Sequence, residues 1–208
     1  MKRIAVLAVA SAMLSGTAGA YTLLVPTMVW QVTPVGIEIN ANKNESTIAD
    51  VDYGHTAVVT ALNDVATSWN QVASITTTTN IAGAYVFGDG TPTITFNDPP
   101  GYCTMGCLAV TLTSYYVIGN NNYIADADMF VSKKTSVKFT SELEDPNVAT
   151  CGFSEYYIEG VLMHEAGHAI GLDHSAVAGA TMAAFANTCD QGAADIAADD
   201  IAGADFLY

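Results

Sequence analysis

Apolar positions along the chain follow two periods. Val35, Ile37 and Ile39 alternate with polar neighbours inside Val29 to Asn40, which predicts a first strand. From His55 to Val72 the repeat lengthens. Val58, Val59, Leu62, Val65, Ala66 and Trp69 recur at three- and four-residue steps and predict an amphipathic helix. Ser74 to Asn80, with four consecutive threonines, reads as a strand end or a loop. Ala84 to Phe87 and Thr93 to Phe96 read as short strands around the turn Gly88-Asp89-Gly90. After a Pro/Gly loop at Asn97 to Gly106, Leu108 to Ile118 and Tyr123 to Ser132 are longer strands rich in β-branched and aromatic residues. Lys133 to Gly152 has no clear period. Ser154 is placed to cap a helix running to about Ile170, with Gly171 as its stop. Ser175 to Gln191 is mostly small residues and reads as loop, and Ala197 to Leu207 returns to helical spacing. Strands and one helix followed by two helices predict an α+β fold.

The first 20 residues read differently. Lys2 and Arg3 give a basic start, Ile4 to Leu14 is a short apolar stretch, and Ala18-Gly19-Ala20 is a small-x-small cleavage signal. The expectation is a signal peptide at residues 1–20 and one domain at 21–208, exported and with no membrane segment after cleavage. An uncleaved N-terminal anchor is the weaker alternative, because the apolar run is short. Cleavage removes two basic residues and takes the formal charge from −15 to −17. The remaining basic residues are Lys43, Lys133, Lys134 and Lys138. Such a chain repels phosphate backbones and anionic lipid, so nucleic acid is not an expected partner, and a monomer is expected. An even count of four cysteines in an exported chain predicts two disulfides. Three pairings are open, of which Cys103–Cys107 with Cys151–Cys189 is preferred. A cysteine zinc site is disfavoured, since Cys103-x3-Cys107 has no matching second pair.

The chemistry concentrates in one frame, His164-Glu165-Ala166-Gly167-His168-Ala169-Ile170-Gly171-Leu172-Asp173-His174. Residues four apart on a helix share a face, so His164 and His168 can reach one ion. Gly171 lets the chain leave the helix sharply and bring His174 back to it. Three neutral imidazoles leave a fourth tetrahedral position open, which is the catalytic arrangement for zinc. Glu165, beside the first ligand, can take a proton from a water on the metal. Incidental surface histidines are the bland reading. It fails on numbers, because three of the chain's four histidines fall in these eleven residues.

The frame resembles that of the metzincin zinc peptidases, and Ser175 after the third histidine resembles their matrixin branch. Ala180-Thr181-Met182 is placed like the family's Met-turn, with Met182 eight residues after His174, although a lone methionine is also ordinary core filler. Asp199-Asp200-Ile201-Ala202-Gly203 and Phe206-Leu207-Tyr208 are similar to the matrixin C-terminal helix. Leu108-Ala109-Val110-Thr111 and Ala125-Asp126-Ala127-Asp128 are similar to strands of bacterial matrixin-like domains. The resemblance implies a twisted mixed sheet with an active-site helix, a Met-turn and a C-terminal helix. It implies a secreted zinc endopeptidase that hydrolyses peptide bonds in protein or peptide substrates, with Glu165 as general base. The second of those strands would be the edge along which substrate lies, near Tyr123 to Ser132, so Ala127 is a candidate substrate contact. Ala183, Ala184 and Phe185 would wall the pocket beside the zinc, which is expected to take an apolar side chain. Calcium is a candidate at Asp89, Asp98, Asp126 or Asp128. The chain departs from the family in two ways: no prodomain or thiol switch is legible, and only His55 remains for a structural zinc. A non-catalytic binding module and a zinc hydrolase for non-peptide substrates are the alternatives.

Overall fold

The computed structural model describes residues 4–8, 21–31, 35–40, 55–69, 75–80, 86–96, 101–103, 106–132, 137–142 and 146–208. Strands are β1 (Ile4–Ala8), β2 (Thr22–Leu23), β3 (Met28–Trp30), β4 (Val35–Asn40), β5 (Ile75–Asn80), β6 (Thr93–Thr95), β7 (Ala109–Ile118), β8 (Asn121–Val131), β9 (Lys138–Thr140), β10 (Glu155–Tyr157) and β11 (Leu172–Asp173). Helices are α1 (His55–Trp69), α2 (Ile158–Ala169) and α3 (Ala198–Leu207). The main sheet runs β1-β7-β8-β6-β4-β5, with β3 also paired to β8. The β1–β7 and β7–β8 pairs are antiparallel and the other pairs of this sheet are parallel, so the fold is α+β with a mixed sheet.

One core joins the elements. Val65 and Trp69 of α1, Ile94, Met129 and Val131 of the sheet, and Leu162, Ala166 and Ala169 of α2 pack into it. Two indoles lock α2 from outside: Trp69 Nε1 donates to Met163 O at 3.1 Å, and Trp30 Nε1 donates to Ala169 O at 2.7 Å. Nearly every residue of α2 is buried, so the helix passes through the core with little of it exposed.

Three expectations change. Val86 and Phe87 are not a strand, and residues 84–85 lie outside the described residues. The strand at Thr93–Thr95 pairs instead in parallel with β4 and β8. The helix begins at Ile158, not near Ser154, because Glu155–Tyr157 is drawn into a parallel pair with β9. Most consequential, β8 is not an edge. It is hydrogen-bonded to β7 on one side and to β6 and β3 on the other. The strand of this sheet beside α2 is β7, and β1 lies antiparallel along it from Leu112 to Tyr116 as the sheet's outermost strand on that side.

α2 ends at Gly171, whose φ of +107° is a conformation other residues resist. A Cβ there would also stand 2.5 Å from the Met28 carbonyl oxygen. Gly171→Ala is therefore expected to cost about 3 kcal/mol, from backbone strain and forced displacement of β3 together. At about 2–4 °C per kcal/mol for a chain of this size, the melting temperature should fall by roughly 6–12 °C. A thermal melt unchanged from wild type would refute this account of the turn.

Candidate metal centre

His164 and His168 lie one turn apart on α2, and the chain turns at Gly171 into β11, which delivers His174. The three rings stand 4.7, 4.8 and 5.1 Å apart between centroids. One ring nitrogen from each lies within 4.8 Å of the others, and among the described residues this is the one such group of three or more ligating side chains. His164 Nδ1 donates to Thr181 O at 2.8 Å, and His168 Nδ1 donates to Leu172 O at 2.9 Å. These bonds fix the tautomer and leave each Nε2 with its lone pair facing inward. His168 Nε2 and His174 Nε2 are 3.2 Å apart. Two nitrogens each about 2.0–2.1 Å from one tetrahedral ion stand roughly 3.3 Å apart, so the spacing of this pair fits zinc.

Burial lowers all three imidazoles, His164 to about 4 and His168 well below its ordinary value, with His174 also lowered. The ring nitrogens are thus held neutral, as metal ligation requires. Glu165, from the same helix, is buried, and burial pushes its carboxyl up to about 7 against the hydrogen bond it accepts. That bond comes from Thr111 Oγ1 on β7, 2.5 Å from Glu165 Oε2.

Below the histidines, Met182 is buried in the core and its sulfur sits directly against Gly167, where a Cβ would collide with it. Ser175 N donates to Met182 O at 2.7 Å, and Ser175 bridges to Ala183. The acidic start of α3 ties this turn down. Asp200 accepts from Thr181 N at 2.7 Å and Met182 N at 3.3 Å, while Asp199 accepts from Ser175 Oγ at 2.6 Å. Both expected disulfides are present. Cys151–Cys189 closes a 38-residue separation that holds all three histidines, a constraint of ~3–4 kcal/mol on chain-entropy grounds.

A cleft of about 870 Å³ opens over the histidines between β7 and the segment after Met182. Phe185, 76 % exposed, lies on its wall beside Ala183 and Ala184. Ala127 does not. It is wholly buried on β8, opposite Thr113, and the cleft's strand wall is Leu108 to Leu112. The aspartates proposed for calcium have other work. Asp126 accepts from Gly90 N and Ala127 N, and Asp128 from Gly88 N and Thr93 Oγ1. Asp89 caps Thr91 N. Asp98 lies outside the described residues, as does the side chain of His55.

The sequence model of the matrixin family matches residues 69–208, from the end of α1 to the C-terminus. The chain belongs to the matrixin family. No curated protein matches it. Matrixins are zinc metallopeptidases with a catalytic zinc, and the histidine triad of this matrixin supplies a donor set of the right kind and spacing. Three contributors to the matrixin site were invisible in its sequence motif: Thr111 on Glu165, and Asp199 and Asp200 on the turn. The paired aspartates at the start of a helix are a legible cap signal, but their targets are not. Thr111 is 54 residues from Glu165, and no local pattern marks it.

Proposed function

We propose that the chain is a secreted zinc endopeptidase, with residues 1–20 an export signal and 21–208 the catalytic domain. His164, His168 and His174 are its zinc ligands and Glu165 is its general base. The convergence of three anchored, neutral imidazoles beside a buried carboxylate is the observation that supports the reading. Zinc, when bound, polarises the scissile carbonyl and acidifies the attacking water. Glu165 takes the proton from that water and returns it to the leaving amine, and a carboxyl raised toward neutrality suits both transfers. Thr111 holds the carboxylate in place.

Substrate would lie antiparallel along the outer edge of β7, using main-chain hydrogen bonds. Loss of residues 1–20 would free that edge, because β1 pairs there in the full chain. The apolar wall at Ala183 to Phe185 favours an apolar side chain beyond the scissile bond. Two disulfides fit an oxidising compartment, and among the described residues no helix is long and apolar enough to cross a membrane.

A casein or gelatin zymogram tests the reading. A cleared band is expected, lost with a chelator and restored by added zinc. Zinc binding without clearing would point to a non-catalytic binding module, or to a hydrolase for other substrates.

A further inference from the structure

The chain leaves α2 at Gly171, so the last carbonyls of the helix lose their helical donors. His174 N, which a continued helix would aim at Ile170 O, donates instead to Asp173 Oδ1 at 2.7 Å. Leu172 and Asp173 are drawn into pairing with β2. Three successive carbonyls are met by donors from distant parts of the chain. Ala169 O accepts from Trp30 Nε1 at 2.7 Å, Ile170 O from the Tyr208 hydroxyl at 2.8 Å, and Gly171 O from Leu24 N at 3.1 Å. The Tyr208 hydroxyl also accepts from Trp30 N at 3.2 Å. Trp30 thus reaches two adjacent peptide groups of the turn, one through its indole and one through its backbone N–H and Tyr208.

The path from Ala169 to Asp173 sets where His174 stands relative to His168. Their Nε2 atoms are 3.2 Å apart, and the bond from His168 Nδ1 to Leu172 O ties the second ring to the same turn. A metal tolerates errors of only about 0.2 Å in its ligand distances. A carbonyl stripped of its donor rotates toward another partner, because an unmet buried acceptor is costly. Rotation of the peptide after Ile170 would swing the segment that carries His174. Resting on the zinc reading of the histidine site, we propose that Tyr208 and Trp30 are positioning residues for the metal, which hold the carbonyls of Ile170 and Ala169 and so fix the turn that delivers His174. Neither residue lines the cleft over the histidines. A change in zinc affinity on altering them therefore acts through the turn, not through loss of a ligand.

The test reads the zinc affinity of the disulfide-bonded chain by competition with a chromophoric chelator. The geometry of the site is read from the visible absorption of the cobalt-substituted protein. Tyr208→Phe removes one oxygen from a partly exposed ring and leaves the ring itself in place. It should weaken zinc binding by about tenfold, the lower end of what loss of an outer-shell partner costs, and should alter the cobalt spectrum. Trp30→Phe should act in the same direction, and it decides the matter if Tyr208→Phe does not fold. Ile94→Val, in the sheet core, is the control for lost stability alone. It should lower the melting temperature and leave zinc affinity and the cobalt spectrum at wild type. The inference is overturned by wild-type zinc affinity in Tyr208→Phe, or by an equal loss of affinity in Ile94→Val. Failure of the zinc reading looks different: the wild type itself binds no zinc, or His174→Ala binds it as tightly as wild type, and the positioning role falls with it. None of these readouts depends on proteolysis.

Discussion

Glu165→Gln should give a folded, zinc-loaded protein whose kcat/KM on a peptide substrate is lower by ~10²–10⁴-fold, the range that loss of a positioned proton-transfer group costs. The structure predicts the fold's survival as well as the loss of rate. Glu165 is buried, and burial already disfavours its charged form. A glutamine of the same shape removes that penalty and can still accept the Thr111 hydroxyl through its amide oxygen. The anchors of His164 and His168, Thr181 O and Leu172 O, are untouched. Zinc content by atomic absorption and the melting temperature should therefore match wild type while turnover collapses. A variant that keeps near wild-type turnover would remove Glu165 from the mechanism. One that loses its zinc would mean that the carboxylate serves the metal instead.

The histidine frame was legible because its geometry is local. A helix fixes the four-residue step between His164 and His168, and Gly171 marks the turn that returns His174. The Cys151–Cys189 bridge was one of three open pairings, and the fold brings those two sulfurs together by docking Cys189 N on Glu155 O. The order of the strands was not legible. β7 and β8 carry similar β-branched and aromatic residues, and the enclosure of β8 depends on its parallel pairing with β6 and β3, segments 35 and 94 residues away in register. Asp126 and Asp128 were candidates for calcium, but their carboxylates are turned onto the backbone and hydroxyl donors of the Gly88 to Thr93 turn, and both are fully buried. The start of α2 moved for a related reason: Ser154 is a good cap by type, but the following three residues gain a strand partner in β9, and pairing outweighs the cap.

His174→Ala should strip the metal. Of the three histidines it is the easiest to remove without harming the fold, since it leaves the helix after Gly171 and is only half-buried, whereas His168 lies inside the core. Removing it leaves two imidazoles, and zinc affinity should fall by more than the ~10–100-fold that loss of a mere outer-shell partner costs. After dialysis the variant should carry well under one zinc per chain and clear no substrate, with a wild-type circular dichroism spectrum. His55→Ala is the control and should keep both zinc and activity. Acid should act in the same direction in the wild type, because a proton competes with the metal for each imidazole. The sign follows from the burial of the three rings: each is held below its ordinary value of 6.5, so protonation and metal release should set in only as the pH falls beneath that value. If His174→Ala retains a full zinc and His55→Ala loses it, the metal sits elsewhere in the molecule, and the assignment of Glu165 as base goes with it.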